Sequence, residues 1–413
     1  MFFCEECGEK INEENSEHNG SVIHCPGCSL PIQQAAVKDR GKNGTGWNVL
    51  TFETLPETQS TSQPIRVLIV DDSRVIRRII REMLTEKDGF IIVGEASNGI
   101  EALKMVKKVS PDVITMDVIM PGMDGLTALK HIMIKEPKPV VMFSALTREG
   151  SRDTFNALNY GAVDFLQKPS SKKQDIDVKR LQISEKIRLA AGIKTDSIRY
   201  FRKKQLTESK NTTSENAGFI TAIGTAEGGY GVLMKTIPGL STRLPSAYIV
   251  VIHSETEHVK AFANYLDEIS EISVKYAENG EVIQNAICYI ASGADYLTVS
   301  GSDNTYILNV EPSPFPLRRG SANMLMFSLA ETLKDKTLAV ILTGTGEDGV
   351  EGAVEIERSG GEVLVQDPSS CLYKETVLLY LAQSKNDNIA SDMGMPEAFN
   401  NHFTLMKERN THV

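Results

Sequence analysis

Short runs of β-branched and other apolar residues alternate with amphipathic segments along two stretches of the chain. The first stretch starts at Ile65 and contains the runs IRVLIV, FIIVGEA, DVITMD, PVVMFSA and AVDFLQK. The second half of the chain repeats the alternation, with apolar runs near residues 219–225, 247–253, 337–344 and 362–367. Strands that alternate with helices are typical of a parallel sheet with helices on both faces. The pattern therefore predicts an α/β protein with two doubly wound parallel-sheet domains.

Polar segments divide the chain into modules. Two of them, residues 36–64 and 195–216, are predicted to be linkers. Residues 178–194 have helical periodicity and are predicted to close the first doubly wound domain. The predicted order is a cysteine-containing module (1–35), a linker (36–64), the first doubly wound domain (65–194), a second linker (195–216) and the second doubly wound domain (217–405).

Charge and hydropathy exclude two classes of partner. The chain has 413 residues and a formal net charge of −10. A surface of that sign repels phosphate, which argues against nucleic-acid binding. No apolar run approaches the roughly 20 residues that span a bilayer, and the start, MFFCEECGEK, does not resemble a secretory signal. We therefore expect a cytoplasmic protein with no nucleic-acid partner and no membrane insertion.

Four cysteines near the start have the spacing of a metal site. Two C-x-x-C pairs are separated by seventeen residues, and they are Cys4, Cys7, Cys25 and Cys28. Each pair can present two sulfurs from one tight turn, and two pairs complete a zinc tetrahedron. The sequence predicts a four-thiolate structural Zn²⁺ site, a zinc ribbon. A pair of redox dithiols is the alternative that this spacing leaves open.

Acidic and hydroxyl side chains follow successive predicted strands of the first domain. Asp71 and Asp72 come after the first strand, Asp117 after the third, Ser144 after the fourth and Lys168 after the fifth. The carboxyl ends of parallel strands converge on one crevice. Three carboxylates there suit Mg²⁺, and an ammonium group can offset an added anion. The arrangement predicts Mg²⁺-assisted phosphoryl transfer to a carboxylate, and solubilising loops or helix caps are the alternative.

Residues 65–185 resemble a response-regulator receiver domain, which has a flavodoxin-like fold, at every signature position. The resemblance implies that a histidine kinase phosphorylates Asp117. It also implies that Asp72 binds Mg²⁺ directly and Asp71 assists through water. The remaining implied roles form a switch, with Ser144 as its hydroxyl, Phe165 as its rotating aromatic ring and Lys168 as the phosphate contact.

A glycine-rich turn in the second domain has the outline of a nucleophile elbow. The turn runs Gly224-Thr225-Ala226-Glu227-Gly228, and Ala226 stands where G-x-S-x-G places the hydroxyl. His253 and Asp348 lie at the predicted carboxyl ends of other strands of the same sheet. An imidazole oriented by a carboxylate is two thirds of a Ser-His-Asp arrangement. We expect the three positions to share one site. The alternative for His253 is an ordinary packed histidine without a catalytic role.

With the receiver placed first, the chain resembles the chemotaxis receptor methylesterase family. Members hydrolyse glutamyl methyl esters on the cytoplasmic helices of chemoreceptors, and they often deamidate glutamines. The family elbow reads Ile-Gly-Ala-Ser-Thr-Gly-Gly, so its serine aligns with Ala226, its general base with His253 and its orienting acid with Asp348. The resemblance implies a Rossmann-type methylesterase-like domain. Further departures from the family pattern lie at Ser254-Glu255, Thr345, Gly320, Asn323 and Glu375-Thr376-Val377.

The loss of the serine decides the predicted function. Removing the serine of such a triad costs about 10⁶ in turnover. We therefore expect a phosphorylation-switched regulator whose effector domain is inactive and binds receptor helices, the kinase or an active relative. The alternative is an active methylesterase or deamidase with a displaced nucleophile. Thr225 precedes the apex and is expected to point to the other side of the turn. A ligand-sensing crevice is a third possibility.

Overall fold

We describe a computed structural model of the chain. It covers residues 63–144, 148–168, 173–193, 215–312 and 320–410, together with five short strands within residues 2–32. The chain divides into two compact units, Met1–Gln63 and Pro64–Val413. Within the described residues, no helix is long and apolar enough to cross a membrane.

The first unit contributes two small antiparallel sheets. One consists of β1 (Phe2–Phe3) and β2 (Lys10–Ile11). The other has the order β3-β4-β5 and comprises β3 (Glu17–Asn19), β4 (Val22–His24) and β5 (Pro31–Ile32).

The four cysteines of the predicted zinc site lie outside the described residues. These are Cys4, Cys7, Cys25 and Cys28. The zinc ribbon therefore stays a prediction.

The second unit begins with a five-stranded parallel sheet in the order β10-β9-β8-β6-β7. Its strands confirm the five apolar runs that begin at Ile65, and β8 and β9 are buried along their whole length. The strands are β6 (Ile65–Val70), β7 (Phe90–Ala96), β8 (Val113–Asp117), β9 (Val140–Ser144) and β10 (Asp164–Gln167).

Helices connect these strands, and polar caps fix where three of them begin. Ser73, Asn98 and Asp124 each accept a hydrogen bond from a backbone N–H of the first turn, which satisfies one of the donors left free at a helix start. The helices are α1 (Arg74–Met83), α2 (Gly99–Val109), α3 (Gly125–Lys135), α4 (Arg148–Asn159) and α5 (Lys173–Ala191). The last helix covers most of the predicted 178–194 segment and starts earlier.

A seven-stranded parallel sheet forms the centre of the second doubly wound domain, in the order β13-β15-β12-β11-β18-β19-β20. The four predicted runs correspond to β11, β12, β18 and β19. The strands are β11 (Phe219–Thr225), β12 (Ser246–Ile252), β13 (Ser273–Tyr276), β15 (Ile287–Ser292), β18 (Thr337–Ile341), β19 (Glu362–Gln366) and β20 (Ile389–Ala390).

Among the described residues, six α-helices cover the two faces of this sheet. They are α6 (Gly229–Thr236), α7 (Thr256–Ile269), α8 (Ser321–Thr332), α9 (Val350–Arg358), α10 (Glu375–Leu381) and α11 (Met395–Asn410). Buried side chains of α8, α9 and α10 share one apolar cluster with the sheet. Those of α6 and α7 belong to a second cluster that continues into the first domain through Phe155 and Phe165. The two doubly wound domains therefore share a buried apolar core.

An antiparallel sheet lies beside the parallel one and was not predicted from the sequence. It has the order β14-β17-β16, with β14 (Glu281–Val282), β16 (Asp295–Ser302) and β17 (Thr305–Pro312). Asp303 and Asn304 turn the β16–β17 hairpin with φ angles of 52° and 60°. Two successive left-handed residues are what a tight hairpin turn requires.

Candidate functional sites

The acidic site forms at the carboxyl edge of the first sheet. Asp71, Asp72 and Asp117 bring one carboxylate oxygen each within 4.8 Å of the others. Lys168 reaches in after β10, with its Nζ 3.0 Å from Asp71 Oδ2 and 2.7 Å from Asp117 Oδ2. Asp71 and Asp117 are buried and Asp72 is exposed. The predicted residues therefore lie together, with one carboxylate open to solvent.

Charge in this pocket is only partly compensated. Burial raises the pKa of Asp117 above its ordinary value, although the bond from Lys168 works the other way. Burial lowers the pKa of Lys168, but its contacts with Asp117 and Asp71 outweigh this and the pKa is raised. One ammonium group faces three carboxylates, and oxygen ligands with excess negative charge suit a hard divalent cation. The donor set fits Mg²⁺.

Arg77 supports the acidic loop from α1. One guanidinium nitrogen donates to the backbone carbonyls of Asp71, at 2.6 Å, and Asp72, at 3.3 Å. Its Nε binds Glu95 at 3.0 Å. Sequence reasoning missed Arg77, because a contact to backbone carbonyls leaves no motif.

The predicted switch residues Ser144 and Phe165 lie on β9 and β10, which are neighbours in the first sheet. Ser144 ends β9 and is buried, and Phe165 is a buried residue of β10. The ring of Phe165 packs against Tyr230 of α6, with centroids 5.1 Å apart, and against His258 of α7, at 5.2 Å. Phe165 therefore belongs to the contact between the two doubly wound domains.

Helix α4 of the first domain supplies the polar part of this contact. Asn159 donates to the Tyr265 hydroxyl at 3.0 Å, and that hydroxyl donates to Asn156 at 3.0 Å. Arg152 and Glu268 form an ion pair of 2.9 Å at the edge. Burial raises the pKa of Tyr265 to about 12. The contact thus combines stacked rings with directional hydrogen bonds.

The glycine-rich turn has the strand–turn–helix form of a nucleophile elbow. Ala226 directly follows β11, and α6 begins at Gly229. Gly228 has φ of +78°, and a Cβ at Gly229 would lie 2.2 Å from Thr225 Oγ1. Both glycines are therefore required by the turn. Ala226 stands at its apex and is 8 % exposed.

The imidazole and carboxylate predicted beside the elbow are in contact. His253 directly follows β12, and its Nε2 lies 2.6 Å from Asp348 Oδ2. The Asp348 carboxylate also accepts backbone N–H bonds from Ala322 and Asn323, each 2.9 Å long. Burial raises the pKa of Asp348, but the hydrogen bond and charge of His253 and the two N–H bonds lower it overall. Asp348 is therefore held as a carboxylate.

Known protein families match both doubly wound domains. The response regulator receiver domain family matches residues 67–178, and the CheB methylesterase family matches residues 221–398. A protein-glutamate methylesterase/protein-glutamine glutaminase of Pyrococcus abyssi is 38% identical over 320 residues, which cover 76% of this chain and 86% of the relative. The chain belongs to the CheB methylesterase family.

Two further similarities come from Thermotoga maritima. A protein-glutamate methylesterase/protein-glutamine glutaminase is 36% identical over 318 residues, covering 76% of this chain and 91% of the relative. The crystal structure of a CheB methylesterase catalytic domain is 30% identical, covers 46% of this chain and 99% of that chain, and superposes with a TM-score of 0.43.

Several hydroxyls of the CheB-type domain lie near Ala226, and each donates elsewhere. Thr225 Oγ1 donates to the carbonyl of Thr343 at 2.9 Å. Thr343 Oγ1 donates to the carbonyl of Tyr373 at 2.9 Å. Thr345 Oγ1 donates to Glu227 Oε2 at 2.7 Å. These three hydroxyls are bound away from the His253 imidazole.

Asn323 holds the loop that carries Asp348 in the CheB-type domain. Its Oδ1 accepts the N–H groups of Gly349, at 3.0 Å, and Gly352, at 2.8 Å. These groups belong to the start of α9, whose N-cap, Gly349, has no side chain to cap it. The sequence showed Asn323 only as a departure from the family pattern. Its bonds to α9 required the fold to be seen.

Proposed function

We propose that the chain is a phosphorylation-controlled response regulator whose CheB-type effector domain acts by binding rather than by hydrolysis. The observation that carries this proposal is Ala226 at the apex of an otherwise assembled frame. His253 and Asp348 are paired at 2.6 Å, yet the apex offers only a methyl group. Loss of the nucleophile costs about 10⁶ in turnover.

The contacts of the neighbouring hydroxyls support an inactive site. A replacement nucleophile has to transfer its proton to the imidazole. Thr225, Thr343 and Thr345 instead donate to a carbonyl, a carbonyl and a carboxylate. Each would have to break a bond of 2.9 Å or less before it could approach His253.

We further propose that Asp117 accepts the phosphoryl group from a chemotaxis-type histidine kinase. A carboxylate oxygen of Asp117 forms the new bond to phosphorus as the donor's bond to phosphorus breaks, and the donor keeps that electron pair. Asp71, Asp72 and Asp117 are the residues that would hold Mg²⁺, which supplies charge neutralisation when bound. Lys168, already 2.7 Å from Asp117, offsets the added negative charge.

Phosphorylation is proposed to act on the contact between the two domains. Ser144 ends β9, which pairs with the strand of Asp117, and Phe165 lies on β10, the next strand beyond it. The Phe165 ring is buried against Tyr230 and His258. A movement of Ser144 toward a phosphoryl group would change the space that this ring occupies. The effector helices α6 and α7 would then be released or repositioned. The proposed output partners are chemoreceptor helices or another signalling protein of the cytoplasm.

Hydrolysis by the unmodified chain tests the effector assignment. The substrate is a glutamyl γ-methyl ester peptide, methanol release is measured, and His253→Ala is the control. We expect both proteins to match the buffer blank. Release above the blank that His253→Ala abolishes would refute the proposal, and a fluorophosphonate probe would then locate the displaced nucleophile by mass spectrometry.

Acetyl phosphate with Mg²⁺ tests the receiver assignment. The chain should gain the mass of one phosphoryl group, and Asp117→Ala should gain none. Hydrogen exchange of α7 should change on phosphorylation in the unmodified chain alone. Equal labelling of Asp117→Ala would overturn the assignment of Asp117, and unchanged exchange in α7 would overturn the control of the domain contact.

A further inference from the structure

Glu227, the residue after the apex, carries a second obstacle to ester hydrolysis. Attack on an ester carbonyl places negative charge on the carbonyl oxygen, and donors beside the nucleophile must receive that charge. The loop 343–349 supplies the backbone nearest to the apex, since a Cβ at Gly344 would lie 3.0 Å from Ala226 Cβ. Donors of this loop therefore lie where they could hold an oxyanion, together with the N–H of Glu227, which follows the apex.

The donors of Gly344 and Thr345 in this loop are already bound. The Gly344 N–H donates to the carbonyl of Tyr373 at 2.9 Å. The next residue, Thr345, directs both its N–H, at 3.4 Å, and its Oγ1, at 2.7 Å, to the same oxygen of Glu227. A carboxylate thus takes both donors of Thr345 beside the apex, and it brings a negative charge of its own.

We propose that Glu227 is a tethered anion that fills the oxyanion position, so that Ala226 and Glu227 each block ester hydrolysis independently. This inference rests on the proposed function, because it explains how the same site is kept inactive. It predicts that restoring a hydroxyl at the apex is insufficient. In Ala226→Ser the new hydroxyl could give its proton to His253 as it adds to the ester carbon. The charge left on the carbonyl oxygen would still meet the Glu227 carboxylate.

Paired substitutions in the full-length chain separate the two obstacles. Ala226→Ser is compared with Ala226→Ser/Glu227→Gln, which keeps the side-chain shape and removes the charge. The matched control is Ala226→Ser/Glu347→Gln, because Glu347 lies exposed on the same loop and loses the same charge. Methanol release from the γ-methyl ester peptide and labelling by a fluorophosphonate are measured, with and without acetyl phosphate and Mg²⁺.

We expect Ala226→Ser/Glu227→Gln to exceed Ala226→Ser at least about tenfold in both measurements. Loss of one oxyanion donor typically costs about 10²–10³ in turnover, so a tenfold gain is a modest threshold. The Glu347 control should stay within about twofold of Ala226→Ser. A Glu227 double variant that is no faster than Ala226→Ser overturns the inference, whether both are active or both inactive, as does an equal gain in the Glu347 control.

The single variant Glu227→Gln distinguishes failure of this inference from failure of the proposed function. With Ala226 in place it should remain at the buffer blank. Hydrolysis by the unmodified chain or by Glu227→Gln would refute the inactive-effector proposal, because a nucleophile would then exist elsewhere. The ratio between these two proteins would still report whether Glu227 inhibits.

Discussion

Replacing Tyr265 by phenylalanine should loosen the contact between the receiver and the CheB-type domain. The substitution keeps the ring, which packs on Phe155 with centroids 5.3 Å apart, and removes the hydroxyl that joins Asn156 and Asn159. Two hydrogen bonds of 3.0 Å are lost. At about 0.5–1.5 kcal/mol each, the loss is about 1–3 kcal/mol. Since about 1.4 kcal/mol is a factor of ten, the domains should separate about 5- to 150-fold more often.

Hydrogen exchange read by mass spectrometry measures this opening in the full-length chain. Exchange in α4 and α7 should accelerate together in Tyr265→Phe, because each helix covers the other. The control is Tyr380→Phe, which removes a similar hydroxyl inside the effector domain. Tyr380 is buried, and its hydroxyl donates to Ser384 and accepts from Asn386. This control variant should accelerate exchange near α10 and leave α4 unchanged.

The Tyr265 hydroxyl does not hold the two domains together if Tyr265→Phe accelerates exchange in α7 while α4 keeps the exchange of the unmodified chain. That result would show that the hydroxyl stabilises the effector internally. Acceleration of α4 by Tyr380→Phe would instead mean that any loss of effector stability reaches the receiver. The assay therefore separates the interface from general stability.

Three further predictions concern the two sites. Arg77→Ala should raise the Mg²⁺ concentration needed for labelling of Asp117 by acetyl phosphate about tenfold, because it frees the acidic loop, whereas Arg81→Ala on the same helix should not. Gly293→Ala should lower the free energy of unfolding in urea by about 1–3 kcal/mol, since its Cβ would lie 2.3 Å from His253 Nδ1, whereas Gly231→Ala, with open space around it, should not destabilise. Asp348→Asn should lower the free energy of unfolding most near neutral pH, because the pKa of Asp348 is depressed in the folded chain. The carboxylate stabilises the fold above its unfolded pKa of about 3.9, and this stabilisation is lost as the pH falls below that value. A urea-measured difference that is constant from neutral pH to below that value would contradict this.

The sequence predicted the acidic site because its residues stand at strand ends. Asp71 and Lys168 directly follow a strand, Asp117 is the last residue of its strand, and parallel strands leave their carboxyl ends at one edge. The same rule placed His253 beside the elbow. The position of a residue at the end of a buried strand can thus be predicted from the sequence pattern alone.

Contacts that depend on how loops, hairpins and domains pack could not be predicted in this way. The hairpin that starts at β16 turns at Asp303-Asn304, a pair without the glycine that usually marks such turns. The stacking of Phe165 on Tyr230 depends on how two domains pack, which no local periodicity encodes. The tether between Thr345 and Glu227 joins residues 118 positions apart. Each of these depends on tertiary geometry.

The paired His253 and Asp348 do not by themselves indicate a working esterase, because Asp348 also has a structural role. Helix α8 begins after Gly320, which has no side chain to cap its first N–H groups. Asp348 binds two of these groups, those of Ala322 and Asn323, and places a carboxylate at the positive end of the helix. Loss of Asp348 would therefore leave partly buried donors without this partner, whether or not the site hydrolyses anything.

The side chain of Ala226 has no comparable structural role. Its side chain is a single methyl group packed near Gly344, and replacing a serine there removes one hydroxyl without disturbing the glycines that shape the turn. The nucleophile is thus the member of the frame whose loss costs the fold least. If the effector domain acts by binding, as proposed, a site that keeps His253 and Asp348 and lacks the serine is what stability alone would preserve.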